Sequence, residues 1–280
     1  MAEVAPASAS VSVSVGSAVG EAARALTAAG CDTPRLDAEL LLAEVLDVDR
    51  ARLVIDRDRP LDAAAAARFS ALVARREARE PVAYILGRRD FRRLTLHVDP
   101  RVLIPRPETE LLVEVGLGLR RAAVVADVGT GGGAVALALK DERPDLVVHG
   151  SDVSADALAV ARDNAARLEL DVSFVAADLF DGAPADAVLA NLPYVAEGAT
   201  LPPEITRYEP PGALFAGADG LDLVRRLVAQ VAGGPVRMLA LEIAPEQAWP
   251  VARLLEEAGF GTVDILRDLA GHERVVVGGR

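Results

Sequence analysis

A single cysteine, Cys31, stands in 280 residues, which excludes an intramolecular disulfide and a cysteine metal cluster. Histidine is nearly as scarce. His97, His149 and His272 are scattered without ligand spacing, so no metal site is expected. Aromatic residues make up only 4% of the chain, against 51% hydrophobic residues in all. The interior must therefore be built mostly from Ala, Val and Leu. Lys140 is the only lysine, and arginine carries the rest of the positive charge. Basic residues are outnumbered, 30 against 42, for a net charge of −12. A sequence-independent grip on nucleic acid needs a basic face, and this balance argues against one. The deficit is uneven. Residues 1–100 hold 14 arginines against 15 acids, whereas the remainder holds 16 basic and 27 acidic residues. No window reaches the roughly 20 apolar residues needed to span a bilayer. Residues 1–16 lack the charged start and long apolar run of a signal peptide. The reading is a cytoplasmic protein with no membrane partner.

What is present falls into two patterns. The Val-Ser alternation at 11–15 is dominated by small residues, and 1–16 read as a flexible tail. From Ser17 the spacing turns helical, with Val19, Ala22, Ala23 and Leu26 on one face and Gly30 as a stop. A second helix fits Pro34 to Leu46, with Leu36, Leu40 and Leu41 facing inward. A third fits Leu61 to Arg79 through Phe69, Leu72 and Val73, ended by Pro81. Residues 17–87 thus form a small helical bundle. Gly87 to Val98 alternates as a hairpin through Phe91, Leu94, Leu96 and Val98, and 88–106 read as a connector. The arginines at 88, 89, 92 and 93 suit a solvated strand face better than an anion site.

From Pro107 strands and helices alternate to the end of the chain. Strands are expected at Ala122–Val128, Leu146–Ser151, Val172–Ala176, Asp186–Ala190 and Val236–Ile243. Thr262–Arg267 and Glu273–Val277 close the chain as a hairpin-like pair. This succession predicts an α/β domain over 107–280, Rossmann-like, with a mostly parallel sheet covered by helices on both faces.

Three of these strands end in groups that suit a nucleoside. Asp127-Val-Gly129-Thr130-Gly131-Gly132-Gly133 lies where the first strand meets the first helix, and glycines let backbone pass close to a ligand. No Gly-Lys-Ser/Thr follows, and the spacing departs from the dinucleotide fingerprint. Asp152 ends the second strand, where an acid suits the two hydroxyls of a ribose. Asp178 ends the third and can accept from an adenine amino group, with Leu179 and Phe180 as apolar contacts. Each acid singly also suits a helix cap or a loop. Together they favour a nucleoside ligand. Without diphosphate-binding chemistry, S-adenosylmethionine is preferred to NAD, and S-adenosylhomocysteine would be its product.

The fourth strand end, Asn191-Leu192-Pro193-Tyr194, is the chemical centre of this reading. A planar NH2 presents two donors. Asn191 Oδ1 is one acceptor, and the Leu192 carbonyl can be the second, its direction limited by Pro193. Tyr194 can lay its ring against the flat group. Asn and Pro also suit an ordinary strand-to-loop turn.

These motifs together resemble the class I methyltransferases that modify planar amino groups. More closely, the chain is similar to the HemK/PrmC family, the release-factor glutamine N5-methyltransferases. Glu80-Pro-Val-Ala-Tyr-Ile-Leu-Gly87, Val102-Leu-Ile-Pro-Arg-Pro-Glu-Thr-Glu110, Glu209-Pro210, Asp219-Gly-Leu-Asp222 and Asp268-Leu-Ala-Gly271 carry the likeness outside the strand ends. The family's usual motif is Asn-Pro-Pro-Tyr, and Leu192 here takes the first Pro position. Leu192 keeps the carbonyl and adds an N–H that needs a partner. The resemblance implies a methyltransferase catalytic domain over 107–280 and a substrate-recognition domain over 17–87. It implies that S-adenosylmethionine donates to the glutamine of the Gly-Gly-Gln loop of a bacterial class I release factor. Two alternatives share the same pocket chemistry: an amino-methyltransferase for adenine or cytosine of DNA or RNA, and one for a ribosomal-protein glutamine.

Overall fold

The computed structural model describes residues 13–180 and 182–280. The chain divides into two compact units, one ending at Leu86 and the other beginning at Gly87.

In the first unit, α1 (Val15–Ala28) is capped by Ser14, whose side chain accepts from the Ser17 backbone N–H. The expected tail therefore ends sooner than residue 16. Val15 is buried, and the Gly16 N–H donates to the Arg57 carbonyl. A hydroxyl cap ahead of an amphipathic run outweighs the Val-Ser alternation. The rest of the tail, residues 1–12, lies outside the described residues. Helix α2 (Pro34–Leu46) begins on a proline. It buries Asp37, Ala38, Leu41 and Leu42, while Leu36 is exposed and Leu40 only half-buried. The inward face is thus turned from the expected one, because Asp37 is drawn inside by Arg76 at 2.7 Å. Helix α3 (Arg50–Ile55), capped by Asp49, is too short to leave a periodic pattern. Helix α4 (Ala63–Glu77), capped by Asp62, is shorter than expected at both ends, and Arg79 beyond it is left-handed at φ 71°. Helix α5 (Val82–Leu86) closes the unit. Its core gathers Leu26, Leu41, Leu42, Phe69 and Val73.

The second unit opens with the hairpin of β1 (Arg88–Phe91) and β2 (Leu94–His97), turning at a left-handed Arg92. The hairpin is more than a connector. Phe91, Leu94 and Leu96 join the apolar cluster of the unit's main sheet, alongside Leu112, Val113 and Leu137. On its outer side Arg92 pairs with Glu142 at 2.8 Å and Arg93 with Asp141 at 3.1 Å. The chain then runs through α6 (Glu110–Leu117), β3 (Val124–Val128), α7 (Ala134–Glu142), β4 (Val147–Asp152), α8 (Ala155–Leu168), β5 (Ser173–Ala176) and β6 (Ala187–Ala190). It continues through α9 (Pro203–Tyr208), α10 (Asp222–Val231), β7 (Met238–Glu242), α11 (Ala248–Glu257), β8 (Thr262–Arg267) and β9 (Glu273–Gly279).

Seven of these strands form one sheet in the order β5-β4-β3-β6-β7-β9-β8. The first five are parallel, and β9 lies antiparallel between β7 and β8. Both faces are covered, and β6 shows how. Val188 and Ala190 enter one apolar cluster with Val224, Leu227 and Leu255, while Leu189 enters the other with Leu137 and Phe174. Strand order reverses beside β3, between β4 on one side and β6 on the other. In such sheets ligands bind outside the carboxyl ends of the strands at that reversal. The segments that follow β3 and β6 border that reversal.

Candidate active site

The segment after β3 is held from behind. Asp127 is buried, and its Oδ2 accepts from Thr130 Oγ1 at 2.6 Å and from the Ala136 N–H at 3.1 Å. It clamps the glycine turn to the start of α7 and does not line the cavity. Burial pushes its carboxyl up to about 6, with the charge of Asp152 adding and the two hydrogen bonds opposing. Asn164 holds the turn from the other side, donating to the carbonyls of Gly132 and His97 and accepting from the His97 N–H. Of the turn's residues Gly129 and Gly131 line the cavity, whereas Thr130, Gly132 and Gly133 do not. Gly129 is left-handed at φ 72°, and a Cβ there would sit 2.9 Å from Leu192 Cδ2. Glycine is required on both counts.

Asp152, at the end of β4, accepts the Gly131 N–H on Oδ2 and the Ser154 N–H on Oδ1, each at 2.9 Å. A carboxylate offers about four acceptor positions, so two remain toward the cavity. Asp178 also lines the cavity and pairs with Arg226 at 2.6 Å, both side chains being well exposed. Leu179 is buried and left-handed at φ 69°, its carbonyl accepting from Ser151 Oγ. Val153 is 77% exposed at the mouth, beside Asp152.

Across the sheet reversal, β6 is wholly buried and delivers Asn191, Leu192 and Pro193 to the cavity. Asn191 Nδ2 donates to Thr109 Oγ1 at 3.0 Å. Leu192 is 4% exposed and sits in the apolar cluster with Leu221 and Val224. Tyr194 falls outside the cavity lining. Its hydroxyl lies 3.5 Å from Glu242 Oε1, and its carbonyl accepts from Gln247 Nε2. Gln247 donates also to the Asp219 carbonyl, fastening the two loops together. Burial, reinforced by Glu242, pushes the Tyr194 hydroxyl up to about 12. It therefore stays protonated and is a donor. Glu242 is itself 2% exposed. Burial raises it to about 7, against hydrogen bonding from Thr109 and Tyr194 and the charge of Arg274.

The remaining walls come from two segments joined by an acid. Glu209, 3% exposed, accepts from Arg106 Nη2 at 2.5 Å and from the Ile104 N–H at 3.2 Å. That pair holds Arg101–Leu103 near Pro210, Gly212 and Ala213, all of which line the cavity. Its volume is about 260 Å³, near the small end of the roughly 300–1,000 Å³ usual for small-molecule sites. Thr109 and Glu209 were legible in the sequence only as parts of longer stretches, and Glu242, Gln247 and Val153 were not legible at all. The one available signal was an acid ending the apolar run Met238–Leu241.

Two family models match the chain: the PrmC N-terminal domain over residues 17–87, and the methyltransferase small domain over 107–207. A release factor glutamine methyltransferase of Rhodospirillum rubrum is 40% identical over 265 residues, covering 91% of this chain and 82% of that protein. One from Cereibacter sphaeroides is 43% identical, covering 90% and 93%. The chain belongs to the release factor glutamine methyltransferase family. A family member from Mycolicibacterium smegmatis, 42% identical, covers 94% of this chain and 96% of its own. Among solved structures, the hMettl16 catalytic domain in complex with an RNA hairpin superposes with a TM-score of 0.56 at 17% identity, over 74% of this chain and 81% of that one. The Thermus thermophilus 16S rRNA N2 G1207 methyltransferase, in complex with AdoMet and guanosine, gives 0.51 at 21% identity, over 69% and 49%. These likenesses establish the class I methyltransferase fold, and with the family membership they make the chain a methyltransferase.

Proposed function

We propose that this chain methylates the side-chain amide N5 of the glutamine in the Gly-Gly-Gln loop of bacterial class I release factors. The donor is S-adenosylmethionine and the product S-adenosylhomocysteine, and the reaction belongs in the cytoplasm with its substrate. Family membership supports the substrate. The observation that carries the chemistry is the Asn191 side chain, whose amide is turned so that Nδ2 meets Thr109. Oδ1 is left as an acceptor at the end of the cavity that Gly129 begins.

The residues present fit the donor. Gly129 lines the cavity as bare backbone where a Cβ would meet Leu192, Asp152 keeps acceptor positions for ribose hydroxyls, and Leu179, Val153 and Leu223 offer apolar contact for a flat ring. Asp178 can accept from an adenine amino group on the oxygen that Arg226 does not hold. When bound, the donor supplies an electrophilic sulfonium methyl. The chain's task is to orient the acceptor. An amide nitrogen is a poor nucleophile because its lone pair is delocalised, as the ~18–20 kcal/mol rotation barrier of a peptide bond measures. Asn191 Oδ1 and the Leu192 carbonyl accept the two N–H groups and hold the nitrogen in line. Holding it so lowers the barrier by several kcal/mol, on the order found for oriented reactants. Carbon–sulfur cleavage and nitrogen–carbon bond formation leave an acidic protonated amide, which loses its proton to water. No resident general base is required.

The test is radiolabelled methyl transfer offered side by side to intact release factor, ribosomal protein, DNA and RNA. Release factor is expected to take the label, and its glutamine-to-alanine variant to take none. Label on nucleic acid alone would replace this reading with an amino-base methyltransferase.

A further inference from the structure

Residues Asn191 to Tyr194 lie outside regular structure, between the end of β6 at Ala190 and a backbone bridge that begins at Val195. The Leu192 carbonyl, an acceptor for the substrate's NH2 in the function proposed above, sits inside that span. Its direction depends on how both ends are held. At the near end β6 is paired on both sides, with β3 and with β7. At the far end the Val195 N–H donates to the Leu214 carbonyl at 2.9 Å, and the Val195 carbonyl accepts from the Ala216 N–H at 3.0 Å. The Tyr194 carbonyl is fixed by a buried side chain. Gln247, 6% exposed, ends the single turn Pro245–Gln247 between β7 and α11. Its Oε1 accepts the Ala244 N–H at 3.0 Å. A backbone N–H only donates, so this bond fixes which way round the amide lies. Nε2 then donates forward twice, to the Tyr194 carbonyl at 2.9 Å and to the Asp219 carbonyl at 3.0 Å. The approach is so close that a Cβ on Gly220 would collide with the Tyr194 carbonyl and lie 2.8 Å from Gln247 Nε2.

We propose that Gln247 is a positioning residue for the methyl transfer: its NH2 fork locks the Tyr194 carbonyl, and through it holds the Leu192 carbonyl and the Asn191 amide where they receive the acceptor NH2. The proposal rests on the reading of those two groups given above. Gln247 does not line the cavity, so it acts only through the motif. Its second bond reaches the same place by another route. Asp219 leads into Leu221, whose N–H its side chain accepts at 3.1 Å, and Leu221 shares an apolar cluster with the buried Leu192 side chain. The residue type is demanding. Asn and Gln alone among neutral side chains carry two donors on one atom beside an acceptor, and Asn is a methylene shorter. A glutamate of the same size keeps the acceptor, but supplies no donor when ionised and one when protonated. A residue needed only to close the turn Pro245–Gln247 would use Oε1 alone. One needed only to fill space would use no polar atom.

The experiment uses full-length enzyme and the variants Gln247→Glu, Gln247→Leu and Gly220→Ala. All are assayed on whichever substrate the wild type labels, so failure of the release-factor reading is seen separately in the wild-type control. Gln247→Glu keeps the size and the Ala244 bond and loses the fork. Its kcat is expected to fall about 10²-fold, the cost of misplacing reacting groups by about 1 Å, and Gln247→Leu should fall as far. Gly220→Ala leaves Gln247 in place and displaces the Tyr194 carbonyl from the other side, so it should also lose kcat. The loss should fall mainly on kcat, with S-adenosylmethionine affinity by calorimetry close to wild type. A further arm places Gln247→Glu in the Asn191→Ala background. Residues that act as a unit are strongly non-additive, so the added loss there should shrink to a few-fold. A general structural defect would cost the same factor in both backgrounds. Should Gln247→Leu fail to fold, the isosteric Gln247→Glu carries the test. The proposal is overturned if Gln247→Glu turns over within a few-fold of wild type, if Gly220→Ala keeps its kcat, if the loss lies in KM alone or follows lost cofactor binding, or if it is undiminished in the Asn191→Ala background.

Discussion

Asn191 and Asp152 do different work within one cavity, and substitution separates them. Asp152 already accepts two backbone N–H groups, yet keeps lone pairs toward the cavity. Asp152→Ala is expected to weaken S-adenosylmethionine binding, since each charge-assisted hydrogen bond contributes roughly 1.5–3 kcal/mol. Titration calorimetry on the folded variant checks this, and unchanged affinity would remove Asp152 from the ribose site. Asn191→Ala should bind the donor as before and lose turnover by about 10²–10³, the usual cost of removing one preorganised polar contact at a reacting centre. Turnover within a few-fold of wild type would mean that another group holds the amide. Both residues were legible in the sequence because each follows a strand end with a side chain whose chemistry suits a particular ligand group. Thr109 and Glu242 were not. Each meets a motif residue far away in the chain, Thr109 at Asn191 and Glu242 at Tyr194, and neither side chain differs in kind from an ordinary cap or strand-end acid. Tyr194 was legible as part of the motif but not in its placement, because nothing in the sequence shows that its hydroxyl turns toward Glu242.

Among the elements, those long enough to repeat a pattern could be read, and those fixed by one or two residues could not. Strands β3, β4, β6 and β7 stand out as apolar runs, whereas α3 and α9 span six residues each and show no period. The closing pair β8 and β9 could be read as neighbours, but not the insertion of β9 between β7 and β8. Asp127 belongs to this scale, since it ties the end of β3 to the start of α7 through Thr130 and Ala136. Its carboxyl is raised from 3.8 to about 6. A raised folded-state value means that the native state holds the proton more tightly than the unfolded chain. The associated stability is full below about 3.8 and is lost as pH rises through about 6. In Asp127→Asn the amide oxygen can still accept both donors but never becomes charged. The difference in stability, variant minus wild type, should therefore grow more positive between pH 4 and 7. Its ceiling is about 3 kcal/mol, at about 1.4 kcal/mol per pH unit of displacement. Thermal melts of both proteins across that range test this, and a difference that is flat with pH would show that Asp127 is not the source.

For the whole molecule, the question is why a small cavity comes with a separate helical unit. A glutamine side chain has few atoms with which to bind, and ordering a loop around it costs conformational entropy. A second contact surface would offset that cost. We assign it to residues 17–87, which match the PrmC N-terminal domain. The charge distribution fits a division of labour, with the first hundred residues nearly balanced and the acidic excess in the remainder. The place to cut follows from packing. Phe91, Leu94 and Leu96 belong to the apolar core of the sheet, so the hairpin must stay with it and the deletion must end at Leu86. A cut at residue 106, where the sequence suggested the domain begins, would strip those side chains from the core. Burying each contributes roughly 1.5–3 kcal/mol, so that fragment should not fold. The Gly87–Arg280 fragment should melt cooperatively and bind S-adenosylmethionine close to wild type, because every cavity-lining residue lies within it. Its kcat/KM on intact release factor should fall by more than tenfold, or about 1.4 kcal/mol of lost transition-state binding, with the loss mainly in KM. A fragment that methylates intact factor as well as the full chain does would leave the helical unit without the role assigned to it.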